Sequence, residues 1–394
     1  MDNKLDNIIY IHAMAMNSAL GNTVEQQLAT LKGERVATME LESGWLNGGK
    51  STVLGKVLGE LPEIPSKFTH KNTRNNRLAL SSLLQIESQI KAAIKQFGAD
   101  RIAVVVGTST SGIADGETAL SANISDDYHY HQQEVGNLGQ FVADYFSIEG
   151  PTYTLSTACS SSGRVFISAK RLLNAGLVDA VVVGGSDSLC KLTLNGFHGL
   201  EALSTAHCLP FSENRKGINI GEASAFMLLS KEKNTTGLAL LGCGDSSDAY
   251  HISAPHPEGK GAIESMQKAL MSANLTSGDV GYINAHGTAT KLNDAMESKA
   301  IYALFKDTVA VSSTKPLTGH TLGVASILEA SICCLLLTEK IMLPMQINDG
   351  EFDSTLEPIR FVTKLMQLPK QVVLSNSFAF GGNNVSLILG ISND

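Results

Sequence analysis

Cys159, His286 and His320 are the residues whose types and settings could carry out chemistry together. A thiol becomes a strong nucleophile when it loses its proton, and an imidazole can take a proton or donate a hydrogen bond. Cys159 stands in "STACSSS", where Tyr153 and Leu155 alternate with small polar residues and then give way to the helical spacing of Val165, Ile167, Leu172 and Leu173. Such a strand-to-helix junction offers unpaired N–H groups and the positive end of a helix dipole, which stabilise a thiolate. A buried structural cysteine is the competing reading of the same stretch. His286 follows an apolar strand in "NAHGTAT"; His320 stands in "SSTKPLTGHTLG", behind Lys315 and Gly319 and ahead of a helix-like run to Glu329. Either histidine alone reads as an ordinary loop or core residue. With Cys159 at the same kind of junction, they form a candidate site.

Three chemistries compete for a cysteine and two histidines. A nucleophile–base pair, as in a cysteine protease, needs one histidine and an orienting Asn or Asp. A zinc centre could use all three, but they lie far apart in the chain with no evident fourth ligand. In an acyl-transfer site the thiol holds an acyl group while the histidines stabilise an enolate oxygen. Only the third employs both histidines without further ligands, so no metal is expected.

The elements that must position these residues alternate along the chain. Strand-like runs are "RIAVVVGTSTSG" (101–112), "VDAVVVGGSDS" (178–188), "VGYINAHGTAT" (280–290), "TVAVSSTK" (308–315) and "QVVLSNSFAFGGNNVSLILG" (371–390). Helical patterns cover 76–98, 261–275 and 293–305, which makes the class α/β. The glycine-flanked stretch 230–245 is the best boundary between two halves of similar rhythm. No sequence repeat is visible, so a duplicated fold is an expectation only.

With 394 residues the chain exceeds one simple domain. A formal charge of −8 argues against general nucleic-acid binding but leaves room for a local basic patch. Six cysteines without a CxxC pair, no secretory pattern at the N-terminus and no run of eighteen apolar residues point to a cytoplasmic protein with no membrane span.

Over nearly its whole length the chain resembles the elongating β-ketoacyl-acyl-carrier-protein synthases of the thiolase-like superfamily. The likeness rests on "STACSSS", "NAHGTAT", "SSTKPLTGHTLG", "NSFAFGGNN" and "DAYHISAPHPEGKGA" (248–262), in the family's order. It implies a duplicated thiolase-like fold layered α-β-α-β-α with two central mixed sheets. Residues 1–235 would form the half with the nucleophile, and 236–394 the half with both histidines. By the same resemblance Cys159 takes an acyl group from an acyl carrier protein, and its N–H and that of Phe380 form an oxyanion hole. His286 and His320, as neutral N–H donors, hold the malonyl thioester oxygen during decarboxylation and Claisen condensation. Lys315 organises the site electrostatically, Glu297 partners the lysine, Glu329 is a second retained acid, and Phe380 resembles a gate. Substrates ride on carrier phosphopantetheine, and no cofactor is implied.

The family also implies a dimer, either of identical chains or with a homologous chain-length-factor-like subunit. "HKNTRNN", "GTSTSGIADGE" and "NGFHGLEALS" look most like synthases from aryl polyene gene clusters; housekeeping fatty-acid elongation is the alternative. A degradative thiolase would need a second cysteine near the C-terminus, which "FAFGGNN" lacks. A non-catalytic chain-length subunit would lack the nucleophile that this chain keeps. Because carriers are acidic, docking calls for basic residues, and Lys67, Lys71, Arg74 and Arg77 are the candidate patch. Departures from the family pattern are Ala379 for glycine, Asn383 for threonine, and Ser212 and Lys216 where acids usually stand. Glu222 is kept, and Asp294 fits the family pattern or caps the following helix.

Overall fold

The computed structural model describes residues 8–122 and 128–392. In chain order the strands of the main sheet are β1 (Ile9–Asn17), β4 (Ile102–Gly107), β5 (Thr152–Leu155), β6 (Ala180–Asp187) and β8 (Ala223–Ser230) in the first half. The second half contributes β9 (Leu238–Ser247), β10 (Tyr282–Asn284), β11 (Ala310–Ser312), β12 (Arg360–Phe361), β13 (Val372–Phe378) and β14 (Asn383–Ile391). A small sheet is made of β2 (Met39–Glu42), β3 (Thr52–Gly55) and β7 (Ile220–Gly221).

The main sheet has eleven strands in the order β12-β11-β10-β13-β14-β9-β1-β8-β6-β4-β5. Within the first half the order is first, fifth, fourth, second, third strand; β9, β14, β13, β10 and β11 repeat it. Parallel and antiparallel pairs recur at matching places, since β8 and β14 are each antiparallel to both neighbours. The duplication is therefore topological, although no sequence repeat betrays it. The two mixed sheets expected of such a fold meet edge to edge, where Ile9 and Tyr10 pair with Leu240 and Ala239.

Between the halves lie the helices Ser161–Asn174 and Ala325–Glu339, whose apolar side chains join strands of both halves in one core. Helices over 74–97 and 137–146 cover the outer face of the first half; Lys260–Ala273 and Lys291–Phe305 cover the second. The result is the layering α-β-α-β-α. The stretch Leu322–Glu339 is long and apolar enough to cross a membrane, but it is buried at the centre of the fold. Burying each of its leucines and isoleucines is worth about 1.5–3 kcal/mol, which ties the two halves together. The two central helices approach closely at Gly163, where a Cβ would come within 2.6 Å of Ser326 Oγ. The nucleophile and one histidine therefore sit at matching ends of adjacent central helices.

Candidate active site

Cys159 occupies the turn from β5 into the helix Ser161–Asn174. Ala158, just before it, has φ 52°, a left-handed conformation that costs a non-glycine residue about 1–2 kcal/mol. Local bonds hold it there: the Ser161 N–H and Oγ both donate to the Ala158 carbonyl, and the Thr157 N–H donates to Ser161 Oγ at 2.9 Å. Behind the turn, Gly107 ends β4 so close to the helix that a Cβ would lie 2.6 Å from the Ser162 nitrogen.

The Cys159 side chain is buried, and burial pushes its thiol up to about 11. Lys315 and the backbone N–H groups of Phe380 and Cys159 itself pull the other way and are outweighed. At neutral pH the group is a thiol. The helix end does not produce a resting thiolate here, because desolvation of the sulfur is the larger effect.

His320 Nε2 lies 3.0 Å from Cys159 Sγ. Its backbone is clamped by β7, with the His320 N–H donating to the Asn219 carbonyl at 2.6 Å and the Gly221 N–H donating to the His320 carbonyl. On the far side of the ring, Nδ1 accepts the Leu322 N–H at 3.1 Å. An acceptor at Nδ1 fixes the tautomer, so the hydrogen sits on Nε2 and points at the sulfur. His286 follows β10, and its ring meets that of His320 edge-on with centroids 5.3 Å apart. Both imidazoles are held neutral, well below the ordinary histidine range, chiefly by burial and then by the nearby Lys315 cation. The neighbouring His320 adds to the effect on His286.

Lys315 forms a fully buried ion pair with Glu329, on the central helix Ala325–Glu339. The expected pairing with Glu297 is therefore corrected. Glu297 instead accepts the backbone N–H groups of His286 at 2.8 Å and Gly287 at 2.7 Å, which fixes the loop carrying the imidazole. Its carboxyl is pushed up to about 7 by burial against the pull of those two donors. Asp294 does not cap its helix, since Thr290 is the N-cap residue; it accepts the N–H groups of Phe211 and Thr288.

Phe380 sits in the turn between β13 and β14, closed by the Ala379 N–H donating to the Asn383 carbonyl at 2.8 Å. Gly381 and Gly382 take φ values of 82° and 75°, open to glycine at little cost. Ala379 has no such conformation, so its Cβ introduces no backbone strain. The Phe380 ring packs on Phe197 with centroids 5.6 Å apart. Asn383 accepts a hydrogen bond from Arg164, which pairs with Asp245, and so the turn is tied to the nucleophile's helix.

The atoms Sγ of Cys159 and ring nitrogens of His286 and His320 lie within 4.8 Å of one another. That spacing alone would suit a soft metal ion. The Leu322 N–H opposes it, because it keeps the hydrogen on the His320 nitrogen that would have to become a ligand. Within the trio, His320 Nε2–H is aimed at the Cys159 sulfur, and the His286 ring stands beside that of His320.

Three positioning groups went unread in the sequence. The Leu322 N–H belongs to the backbone and has no residue-type signal. Asn219 accepts from His320 through its backbone carbonyl. Asp187 is fully buried, gathers Thr108, Ser109 and Thr110 on one oxygen, and accepts the Val324 N–H at 3.0 Å on the other. A lone acid ending the apolar run "VVVGGSD" was its available signal.

The proposed basic patch is largely spent inside the fold. Lys71 pairs with Asp144, Arg74 with buried Glu222, and Arg77 with Glu63; Lys67 lies over the Phe68 ring. Glu222 is thus a structural anchor. Ser212 donates to Asp349. A cavity of about 760 Å³ leads to Cys159, His286, His320 and Phe380, and Lys216 and Lys291 also line it.

A duplicated α/β fold that holds a thiol between two backbone N–H groups and two neutral imidazoles is that of the thiolase-like condensing proteins. Residues 6–234 match the beta-ketoacyl synthase N-terminal domain, and residues 239–348 match the beta-ketoacyl synthase C-terminal domain. The chain belongs to the beta-ketoacyl synthase family. It is 48% identical, over the full length of both chains and with a TM-score of 0.95, to the ketosynthase ApeO solved in complex with its chain length factor ApeC from Xenorhabdus doucetiae. It is 35% identical over 260 residues to 3-oxoacyl-[acyl-carrier-protein] synthase 2 of Rhizobium meliloti, a match spanning 61% of either protein. The synthase of the same name from Vibrio cholerae is 27% identical over 96% of this chain and 98% of its own length.

Proposed function

We propose that this chain extends an acyl group by two carbons through decarboxylative condensation with a malonyl group, both delivered as thioesters of an acyl carrier protein. The observation that carries this reading is the placement of donors around one sulfur. The backbone N–H groups of Cys159 and Phe380 act on it, His320 Nε2 lies 3.0 Å from it, and the His286 ring stands edge-on to that of His320. Two oxygens can therefore be stabilised in turn at one carbon-bearing sulfur.

In the first half-reaction the Cys159 sulfur attacks the acyl thioester. The developing oxyanion lies against the Cys159 and Phe380 N–H groups, where one such donor is worth about 3 kcal/mol. The carrier's thiol leaves and takes the proton that the Cys159 thiol gives up. In the second, the malonyl thioester oxygen accepts hydrogen bonds from His286 and His320 while the free carboxylate departs as CO₂. The enolate carbon attacks the acyl–Cys159 carbonyl, and collapse of that adduct releases the 3-ketoacyl carrier. The departing Cys159 thiolate takes up one proton, which restores the thiol. Neutral histidines suit this step, because each still has one N–H to donate and the ground state needs no buried cation beside Lys315.

For pathway and partner, the full-length likeness to ApeO supports a synthase of aryl polyene assembly that works beside a homologous chain-length-factor-like subunit. The outer strand β5 supports a partner chain: one edge has no strand partner among the described residues, and Tyr153 is 36% exposed. Intact-protein mass spectrometry tests the reading. The wild-type chain gains one acyl mass from an acyl carrier and Cys159→Ala gains none; acylation that persists in the variant overturns the assignment of the nucleophile.

A further inference from the structure

The chain carries a formal charge of −8, and three of the four cations in its one conspicuous run of basic residues, Lys71, Arg74 and Arg77, are held in ion pairs. A substrate on phosphopantetheine nevertheless brings a phosphodiester to the mouth of the cavity above Cys159. We propose that Lys216 and Lys291 form a two-lysine clamp at that mouth for the phosphate of the pantetheine arm. The inference rests on the condensing function proposed above and adds how this chain recognises its thioester.

Both lysines line the cavity that ends at Cys159, and both are exposed. Neither takes part in an ion pair or a side-chain hydrogen bond among the described residues. Their segments are held side by side. The Gly217 N–H donates to the Ala289 carbonyl at 2.9 Å, and Arg215 Nη2 donates to the Lys291 carbonyl at 3.5 Å. The remaining cation on the cavity wall, the Arg215 guanidinium, is occupied by Asp353 and Asp294 and is not free for a ligand.

Glu213 and Glu201 line the same cavity, so the mouth is not uniformly positive. The two lysines are nonetheless the Lys or Arg side chains on that wall left without a carboxylate. Lys216 stands where the resembled family usually has an acid, so this half of the clamp is a property of this chain. A phosphodiester carries one negative charge and two free oxygens, which suits two ammonium groups approaching from different segments. The cavity itself runs inward to the thiol, which matches an arm with its anion at the outer end and its thioester at the inner end.

The test separates phosphate recognition from chemistry by measuring binding. In the Cys159→Ala background, calorimetry is run with an acyl-phosphopantetheine thioester and with the matching acyl-pantetheine, which lacks the phosphate. Lys216→Gln with Lys291→Gln is expected to weaken the phosphorylated ligand about tenfold, the combined effect of two solvent-exposed charge contacts, and to move the phosphate-free ligand less than twofold. Raising the salt concentration should shrink the difference between the two ligands in the lysine-containing protein only. Equal changes for both ligands, or no change for the phosphorylated one, overturn the clamp. Failure of the condensing function is read separately, as absence of acylation at Cys159 in the chain that keeps both lysines and the thiol.

Discussion

Replacing Lys315 by methionine probes whether the buried ion pair serves the chemistry or only the fold. The lysine and Glu329 side chains are 1% and 2% exposed, so Lys315→Met leaves a carboxylate in the core with no counter-charge. Breaking such a pair costs about 4 kcal/mol. For 394 residues at ~2.1 cal/mol/K each, that corresponds to a fall of about 5 °C in Tm. The Glu329 carboxyl is already raised by burial, and losing Lys315 raises it further. A carboxyl raised above its unfolded value favours folding when protonated, so the deficit should narrow as pH falls. Adding Glu329→Leu removes the stranded charge and should recover most of the lost Tm, since an apolar pair of similar volume is often as stable as the ion pair.

Activity should not follow stability in that series. Lys315 helps hold both imidazoles neutral, so without its charge their titration moves up and the acid limb of the condensation rate moves to higher pH. Differential scanning calorimetry would be paired with the rate of 3-ketoacyl carrier formation between pH 5 and 8. The expected pattern is a recovered Tm with a displaced acid limb in the double variant. If the double variant regains both, or if Lys315→Met lowers Tm and leaves the acid limb in place, Lys315 is structural and the electrostatic reasoning fails.

With a thiol pushed up to about 11, alkylation of Cys159 by iodoacetamide should accelerate about tenfold per pH unit from pH 7 to 10; a plateau below pH 8 would contradict it. Gly107→Ala should cost about 1–3 kcal/mol through overpacking and displace the start of the nucleophile's helix. Its acylation, followed by mass, should fall more than its melting temperature alone explains, and an unchanged acylation rate would refute the contact. His286 and His320 have depressed values in the fold, so their contribution to stability is full above the unfolded value of about 6.5 and is lost as pH falls below it. The loss is up to about 1.4 kcal/mol per histidine per pH unit. Replacing both by asparagine should flatten that part of the urea-unfolding profile, and an unchanged slope would show that other groups set it.

The parts of the site legible in the sequence were those with local signals. Cys159 and His286 each follow a short strand, His320 comes one helical turn after β11, and strand ends in α/β folds expose functional side chains. The apolar runs at 102–107 and 180–187 became fully buried strands for the same reason. Other features depend on residues remote in the chain. Lys71 meets Asp144 and Arg74 meets Glu222, so a run that looks basic locally has much of its charge paired in the fold. Lys315 finds Glu329 because both lie at the centre of the molecule, a placement that spacing from His286 does not encode. The helix expected over 76–98 breaks near Leu84–Ile86, where a tight turn redirects the chain between Arg74–Leu83 and Glu87–Phe97. The strands β2 and β3 are only four residues each, too short a pattern to read. The tautomer of His320 rests on a backbone N–H and was invisible for that reason.

The most direct measurement supplies the acylated chain with a malonyl carrier labelled with ¹³C at the methylene carbon, alone and together with a homologous partner subunit. The expected result is a 3-ketoacyl carrier two carbons longer that retains the label, with release of unlabelled CO₂ and return of Cys159 to the free thiol. Acyl–Cys159 that persists with no extended carrier, both alone and with the partner, would contradict the proposed condensation.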